Sequence, residues 1–374
     1  MNNDSEEEIS RSKATGRSKV AVLFTRPESV LDDVAHAMWL ADSHVHLPKD
    51  RSTILKVNIS WQHYYPACST TPWQLEGVIR SLLADGYPDL VPAQNGTVVV
   101  DSFEGERNNK HDVVLDRYNL KSVHLDVPPQ RWVPYEPKSE MLVLNDVFPE
   151  GLMIPELFYG RNIVQLPTFK THVFTTMTGA MKNAFGGLLN RKRHWTHSVI
   201  HETLVDLLAI QKELHPGLFA VMDGTFAGDG PGPRAMRIHD KSILLASADQ
   251  VAIDAVASKL MGFDPMSIKK LNLAHEKGLG IANPNEINCV GDDISNVNWN
   301  FAKNENTFAS IGQKLIYHGP LKPFEGLLLR SFISPWAYTA SNIYHNGIWR
   351  PLIGKRRISK SMKTKWGKFF SNYQ

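Results

Sequence analysis

The chain has 374 residues, 42% hydrophobic and 21% charged, which suits one large α/β domain or two smaller ones with a full core. Its two cysteines, Cys68 and Cys289, exclude a disulfide scaffold and any four-cysteine metal or iron–sulfur site held by this chain alone. No basic-then-apolar leader and no run of about 18 apolar residues occurs, so the expectation is a cytoplasmic protein without a spanning helix.

In chain order, residues 1–18 are polar and predict a disordered start. "KVAVLFT" reads as a buried strand, and "ESVLDDVAHAMWLA" as a helix turning Val30, Val34 and Met38 inward. "TILKVNI" (53–59) alternates, with Leu55, Val57 and Ile59 on one face and Lys56 and Asn58 on the other. Thr71 and Pro72 open a helix that Gly86 closes, and "TVVVD" (97–101) reads as the next strand.

Further strands are expected at 163–167, 218–224 and 242–249. Helices are expected from about His197 to Leu214, and from an Asp249 cap to Gly262. Apolar strands alternating with helices predict an α/β fold, an open and largely parallel sheet covered on both faces. The domain spans about 19–320, with 19–160 and 161–320 as candidate lobes. Residues 321–374 form a basic, aromatic C-terminal extension outside the sheet.

Chemistry concentrates in "PTFKTHVFTTMTGAMKNAFGGLLNRKRHWTH" (167–197), which contains no acid. Lys170 and His172 follow a strand directly, where open parallel sheets bind ligands, and they suit an anion or a proton transfer. Lys182 and Asn183 stand beside glycines that permit close backbone approach. His194, His197 and His201 share one helical face and make a candidate transition-metal set. "MDGTFAGDGPGP" places Asp223 at a strand end before a glycine-rich loop, where Gly228 and Gly230 suit an anion. Asp249 reads as a helix cap, and Asp254 as a buried partner to a lysine.

These segments together resemble the domain-of-unknown-function family 362. The matching features are "KVAVLF", "LKVNIS" with "TTPWQLEGVIRSLLADG", "LPTFKTH", "TGAMKNAFG", "DGTFAGDGPGP" and "ADQVAIDAVASKLMGFDP", in order from about residue 19 to 290. Where the family usually has Lys-Pro-Asn, this chain has Lys56-Val57-Asn58. Many relatives carry a ferredoxin module, so the resemblance implies a ferredoxin-like partner for any iron–sulfur role. A more distant similarity to nickel-pincer lactate racemases implies Lys and His serving proton transfer, with nickel as a candidate metal.

The expected function is an enzyme of racemase, isomerase or lyase type acting on a small anionic molecule. Lys170, His172, Lys182 and Asp223 would be catalytic, and Lys56, Asn58, Asn183, Gly228 and Gly230 would bind substrate. The alternative is a non-catalytic metal- or cofactor-binding accessory protein for an iron–sulfur partner. Residues 355–374 hold seven Lys or Arg and no acid, while the rest of the chain is net acidic. That pattern argues against nucleic acid and leaves two readings of the tail: an anionic membrane surface met through Phe324, Leu327, Leu328, Phe332, Trp336, Tyr344, Trp349, Trp366, Phe369 and Phe370 as anchors, or aromatics packed on the body or a second subunit with a solvated basic end.

Overall fold

The computed structural model describes residues 18–96, 100–303, 305–325, 328, 339 and 342–374. The expected disorder of 1–17 and most of the expected strand at 97–101 lie outside the described residues, as do Leu327, Phe332 and Trp336.

A 10-stranded sheet organises the chain. Its strands are β1 (Ser18–Phe24), β2 (Thr53–Val57), β3 (Leu90–Gln94), β4 (Val123–His124), β5 (Asn162–Leu166), β6 (Thr168–His172), β7 (Thr176–Met177), β8 (Leu218–Asp229), β9 (Arg237–Ser247) and β10 (Ile287–Gly291). The order is β10-β1-β9-β8-β5-β2-β3-β4, and β6 pairs with β8 and β7. Most pairings are parallel; β9 runs antiparallel to both β1 and β8, and β7 to β6. The sheet interleaves strands from 19–160 and 161–320, so those stretches do not separate into layers of their own.

Alternation along each strand sets the two faces. Ala21, Leu23, Leu55, Val57, Val164, Val221, Leu244 and Ala246 pack with helices α1 (Val30–Leu40) and α2 (Pro72–Ala84). Val20, Val22, Ala220, Met222, Ile243 and Leu245 face the opposite way, towards α5 (Gln250–Met261) and α6 (Lys269–Glu276). Helices α3 (Gly179–Asn183) and α4 (Ile200–Leu214) lie on that second face. Burial of these side chains from water is the main stabilising term.

Three elements differ from the sequence reading. Strand β3 falls at 90–94, a stretch to which the sequence reading assigned no strand. Only Ala93 and Gln94 pair with β4, so Pro92 faces no ladder on that side and its missing N–H costs nothing. Strand β8 continues to Asp229, through glycines expected to be loop, with an irregularity between Gly224 and Phe226. Helix α4 starts at Ile200, because Arg191–Val199 form 3-10 turns instead.

The C-terminal extension stays outside the sheet but folds onto the body. Trp366 is 0% exposed and lies 5.3 Å from Trp73, while Phe370 stacks on Tyr64 at 3.8 Å. Helix α7 is Phe308–Tyr317 and the last helix, α8, is Lys365–Asn372; Lys110 Nζ closes α8 by donating to the carbonyls of Phe370, Ser371 and Tyr373. Trp349, Trp366 and Phe370 are therefore core residues and not membrane anchors.

Candidate functional site

Strands β5 and β6 are nearly continuous, separated only by Pro167. Lys170 and His172 therefore sit on a strand, not in a solvated loop, and both are buried. Lys170 Nζ donates to Asn58 Oδ1 (2.8 Å), Ser60 Oγ (3.1 Å) and the Cys68 carbonyl (2.5 Å). All three acceptors are neutral. Burial pulls this amine down to about 8.

Lys56 projects from β2 to the helical turn after α3, where Gly186 and Gly187 leave room for it. A Cβ at Gly187 would lie 2.9 Å from Lys56 Cε. The Lys56 ammonium donates to the Val57 carbonyl at 2.6 Å, and burial, then Arg193, lower it to about 7. Asn183 ties α3 to the sheet through Lys56 O and Gln165 Oε1.

Lys182 is half-buried, with no hydrogen bond or ion pair among the described residues; its Nζ lies 5.2 Å from the Phe185 ring centre. Burial, and then the charges of Lys170, Lys270 and Arg193, bring it to about 7. Helix α3 is aimed by Asp254 of α5. That carboxylate accepts from the Ala180 N–H (2.5 Å), the Met181 N–H (3.3 Å) and Lys270 Nζ (3.0 Å). Gly179 has φ +79°, and a Cβ there would overlap the Asp254 carboxylate. Lys270, absent from the sequence reading, is the lysine that Asp254 holds.

His172 accepts the Phe174 N–H at Nδ1 (3.2 Å), which leaves the neutral ring's proton on Nε2. Burial first, then Lys182, hold it well below the ordinary imidazole value. It is thus a neutral hydrogen-bond donor near pH 7. Any proton acceptance in this site falls to the lysines.

Lys56, Asn58, His172, Lys182 and Asn183 border one cavity of about 290 Å³. Arg191, Arg193 and Arg234 border it too, and no Asp or Glu does among the described residues. Arg193 and Arg234 were not assigned a role from sequence; the acid-free run around Arg193 was the one available signal. The roof comes from Thr307, Ser310, Gln313 and Tyr317, one face of α7, and from His345 of the extension.

Three expected assignments change. Asp223 is not on this cavity. Its carboxylate receives Thr71 Oγ1, Trp73 Nε1 and the Thr225 N–H on the α2 face, whereas Lys182 lies with α3 on the other. Gly228 pairs with Lys170 in the β8–β6 ladder, and the Gly230 carbonyl accepts from Thr171 Oγ1 (2.6 Å); the cavity meets Pro231, Gly232 and Pro233 instead. The His194, His197 and His201 set does not converge. His201 spends both ring nitrogens, donating to Phe174 O and accepting from the Lys270 N–H. His194 Nδ1 and His197 Nδ1 donate to the carbonyls of Arg191 and His194. Among the described residues no group of three or more His, Cys, Asp or Glu is placed to hold a metal ion.

A family model described as a domain of unknown function, DUF362, matches residues 53–259. The chain belongs to this family. The DUF362 match contains Lys56, Lys170, His172, Lys182, Arg193 and Arg234, whereas the roof residues lie beyond it. A thylakoid-associated protein of Synechocystis sp. is 30% identical over 142 residues, 36% of this chain and 43% of that protein, so the match spans less than half of the relative's length. No solved structure matches. Among the described residues no helix is long and apolar enough to cross a membrane.

The lysine burial has a pH consequence. In the unfolded chain these amines titrate near their ordinary value of 10.5, well above the folded values of about 7 for Lys56 and Lys182. Between the two values the unfolded state binds more protons, so stability rises with pH and is lost as pH falls. Thermal unfolding in anion-poor buffer is expected at a higher temperature at pH 9 than at pH 7. Added phosphate should stabilise more at pH 7 than at pH 9, because it needs the ammonium forms. A melting temperature that is flat or falling from pH 7 to 9 would mean that these amines are solvated.

Proposed function

We propose that this protein binds a small carboxylate- or phosphate-bearing molecule in the cavity and moves a proton on the carbon next to its anionic group. One observation carries the reading: buried Lys and Arg side chains border a cavity that no carboxylate borders among the described residues. A buried charge without a counter-charge is costly, so an anionic ligand supplies the missing partner. Lys182, as a neutral amine, takes the proton from carbon and becomes an ammonium. The Nε2–H of His172 hydrogen-bonds the oxygen on which charge develops, as neutral imidazoles do in isomerase sites. Return of the proton from Lys182 to an adjacent carbon gives an isomerase outcome, and loss of a neighbouring group gives a lyase.

The test is solvent exchange. A panel of 2-oxo, 2-hydroxy and 2-amino carboxylates is incubated with the protein in D₂O and followed by proton NMR. Deuterium is expected to enter beside the carboxyl or carbonyl carbon of at least one. No exchange across the panel, or exchange that persists in Lys182→Gln, would overturn the reading.

A second reading concerns location at an anionic membrane surface. Ile348 is 49% and Leu352 72% exposed in the Ile343–Gly354 segment, which runs directly into exposed Lys355 and Arg356. The relative named as thylakoid-associated supports the same placement. Each exposed cation contributes up to about 1 kcal/mol near such a surface. Full-length protein is expected to sediment with phosphatidylglycerol-containing vesicles at low salt, and Ile348→Glu/Leu352→Glu to reduce this severalfold. Equal sedimentation of the two proteins would remove the membrane reading. Deletion of the whole extension is unsuitable, because it takes Trp366 and Phe370 out of the core.

A further inference from the structure

The cations are divided between two adjoining spaces. An inner one of about 40 Å³ is bordered by Lys170, Thr178 and Lys182, and the outer one is the roofed cavity. Asn58, Ser60, Lys182, Asn183 and Pro233 border both. Lys170 belongs to the inner space alone, and Arg193 and Arg234 to the outer alone. The inner volume exceeds the roughly 10–15 Å³ that one water needs, and it suits a group the size of a carboxylate.

Among the described residues neither end makes an ion pair, and Asp126, which pairs with Arg191, offsets the burial of Arg193 only in part. Arg193 donates to the carbonyls of Gly96 (3.0 Å) and Leu189 (3.3 Å), and Arg234 Nε to that of Ser60 (3.1 Å). Lys170 likewise meets only neutral acceptors. A ligand with a single anionic group would answer one end and leave the other buried and uncompensated.

We propose that the ligand is a small dianion, with a carboxylate in the inner space between Lys170 and Lys182 and a second anionic group, carboxylate or phosphate, held by Arg193 and Arg234 in the outer one. This rests on the anion-site reading above and adds the charge pattern of its substrate. Lys182, bordering both spaces, then stands beside the carbon that carries the inner carboxylate. Guanidiniums at the outer end suit the paired oxygens of either group.

Calorimetric titration with lactate, malate and 3-phosphoglycerate tests it. The two dianion-type ligands are expected to bind about tenfold or more tightly than lactate, the gain of one added charge-assisted contact. Their relative affinities tell carboxylate from phosphate at the outer end. In Arg193→Gln, and separately in the less buried Arg234→Gln, that advantage should shrink to within about threefold; circular dichroism confirms that each variant is folded. Lactate binding as tightly as the others, loss of affinity by one common factor for all three in both variants, or no binding by any, would overturn the proposal. Dianion preference without solvent exchange would keep this inference and remove proton transfer. Exchange without dianion preference would do the reverse.

Discussion

Lys182→Gln is expected to lower solvent-deuterium exchange by about 10²–10⁴-fold, the usual worth of a positioned general base. Glutamine keeps the length and polarity of the side chain but carries no titratable amine. Three features single out Lys182 among the lysines. Its ammonium has no hydrogen bond or ion pair among the described residues, whereas Lys56, Lys170 and Lys270 each donate to protein oxygens. It borders both spaces of the site. Its value near 7 leaves about half of it unprotonated at neutral pH, so that both the accepting and the returning form are available. The pH profile separates catalysis from positioning. Exchange in the native protein should rise through the Lys182 range as the free amine forms, while the residual rate of the variant should not follow that rise. A variant that exchanges at the native rate would place the base elsewhere.

Asp254→Ala is expected to cost roughly 3–5 kcal/mol of stability, the penalty for leaving a buried ion-pair partner alone. Both Asp254 and Lys270 are 0% exposed, and their charged atoms are 3.0 Å apart. The same carboxylate receives two N–H groups at the start of α3, so the substitution also strips those donors. Urea unfolding measures the loss. Adding Lys270→Met should recover much of it, since the stranded ammonium is removed, although the α3 donors stay unmatched. Because α3 carries Lys182, anion affinity should fall in both variants. A loss below about 1 kcal/mol in the single variant would show that water reaches the pair.

How far sequence reached is best seen in the lysines. Alternation in β2 put Lys56 and Asn58 opposite Leu55 and Val57, because a strand's two-residue period assigns faces without tertiary information. Strand ends marked Lys170 and His172 as ligand-facing. The same period does not reveal which face a neighbouring strand's polar residue shares with them. Asp223 was grouped with these cations because it was titratable and near a strand end. The register of β8 turned its carboxylate to the α2 face, where Thr71 and Trp73 hold it.

The extension shows the same boundary from another side. An acid-free run rich in aromatics is compatible both with a membrane surface and with packing on the body, since each removes apolar rings from water. Only the position of Trp73 and Tyr64 decided that Trp366 and Phe370 go inside, leaving Ile348 and Leu352 outside.

By itself the sequence determined the α/β architecture, the strand faces and the cation-rich stretch, because these follow from local periodicity and composition. Tertiary structure alone decided that Lys270 answers Asp254 and that Arg193 and Arg234 join the site while Asp223 and His201 leave it. It also decided that no carboxylate borders the cavity among the described residues. Counter-charge is a property of distance between side chains far apart in the chain, and periodicity carries no record of that distance.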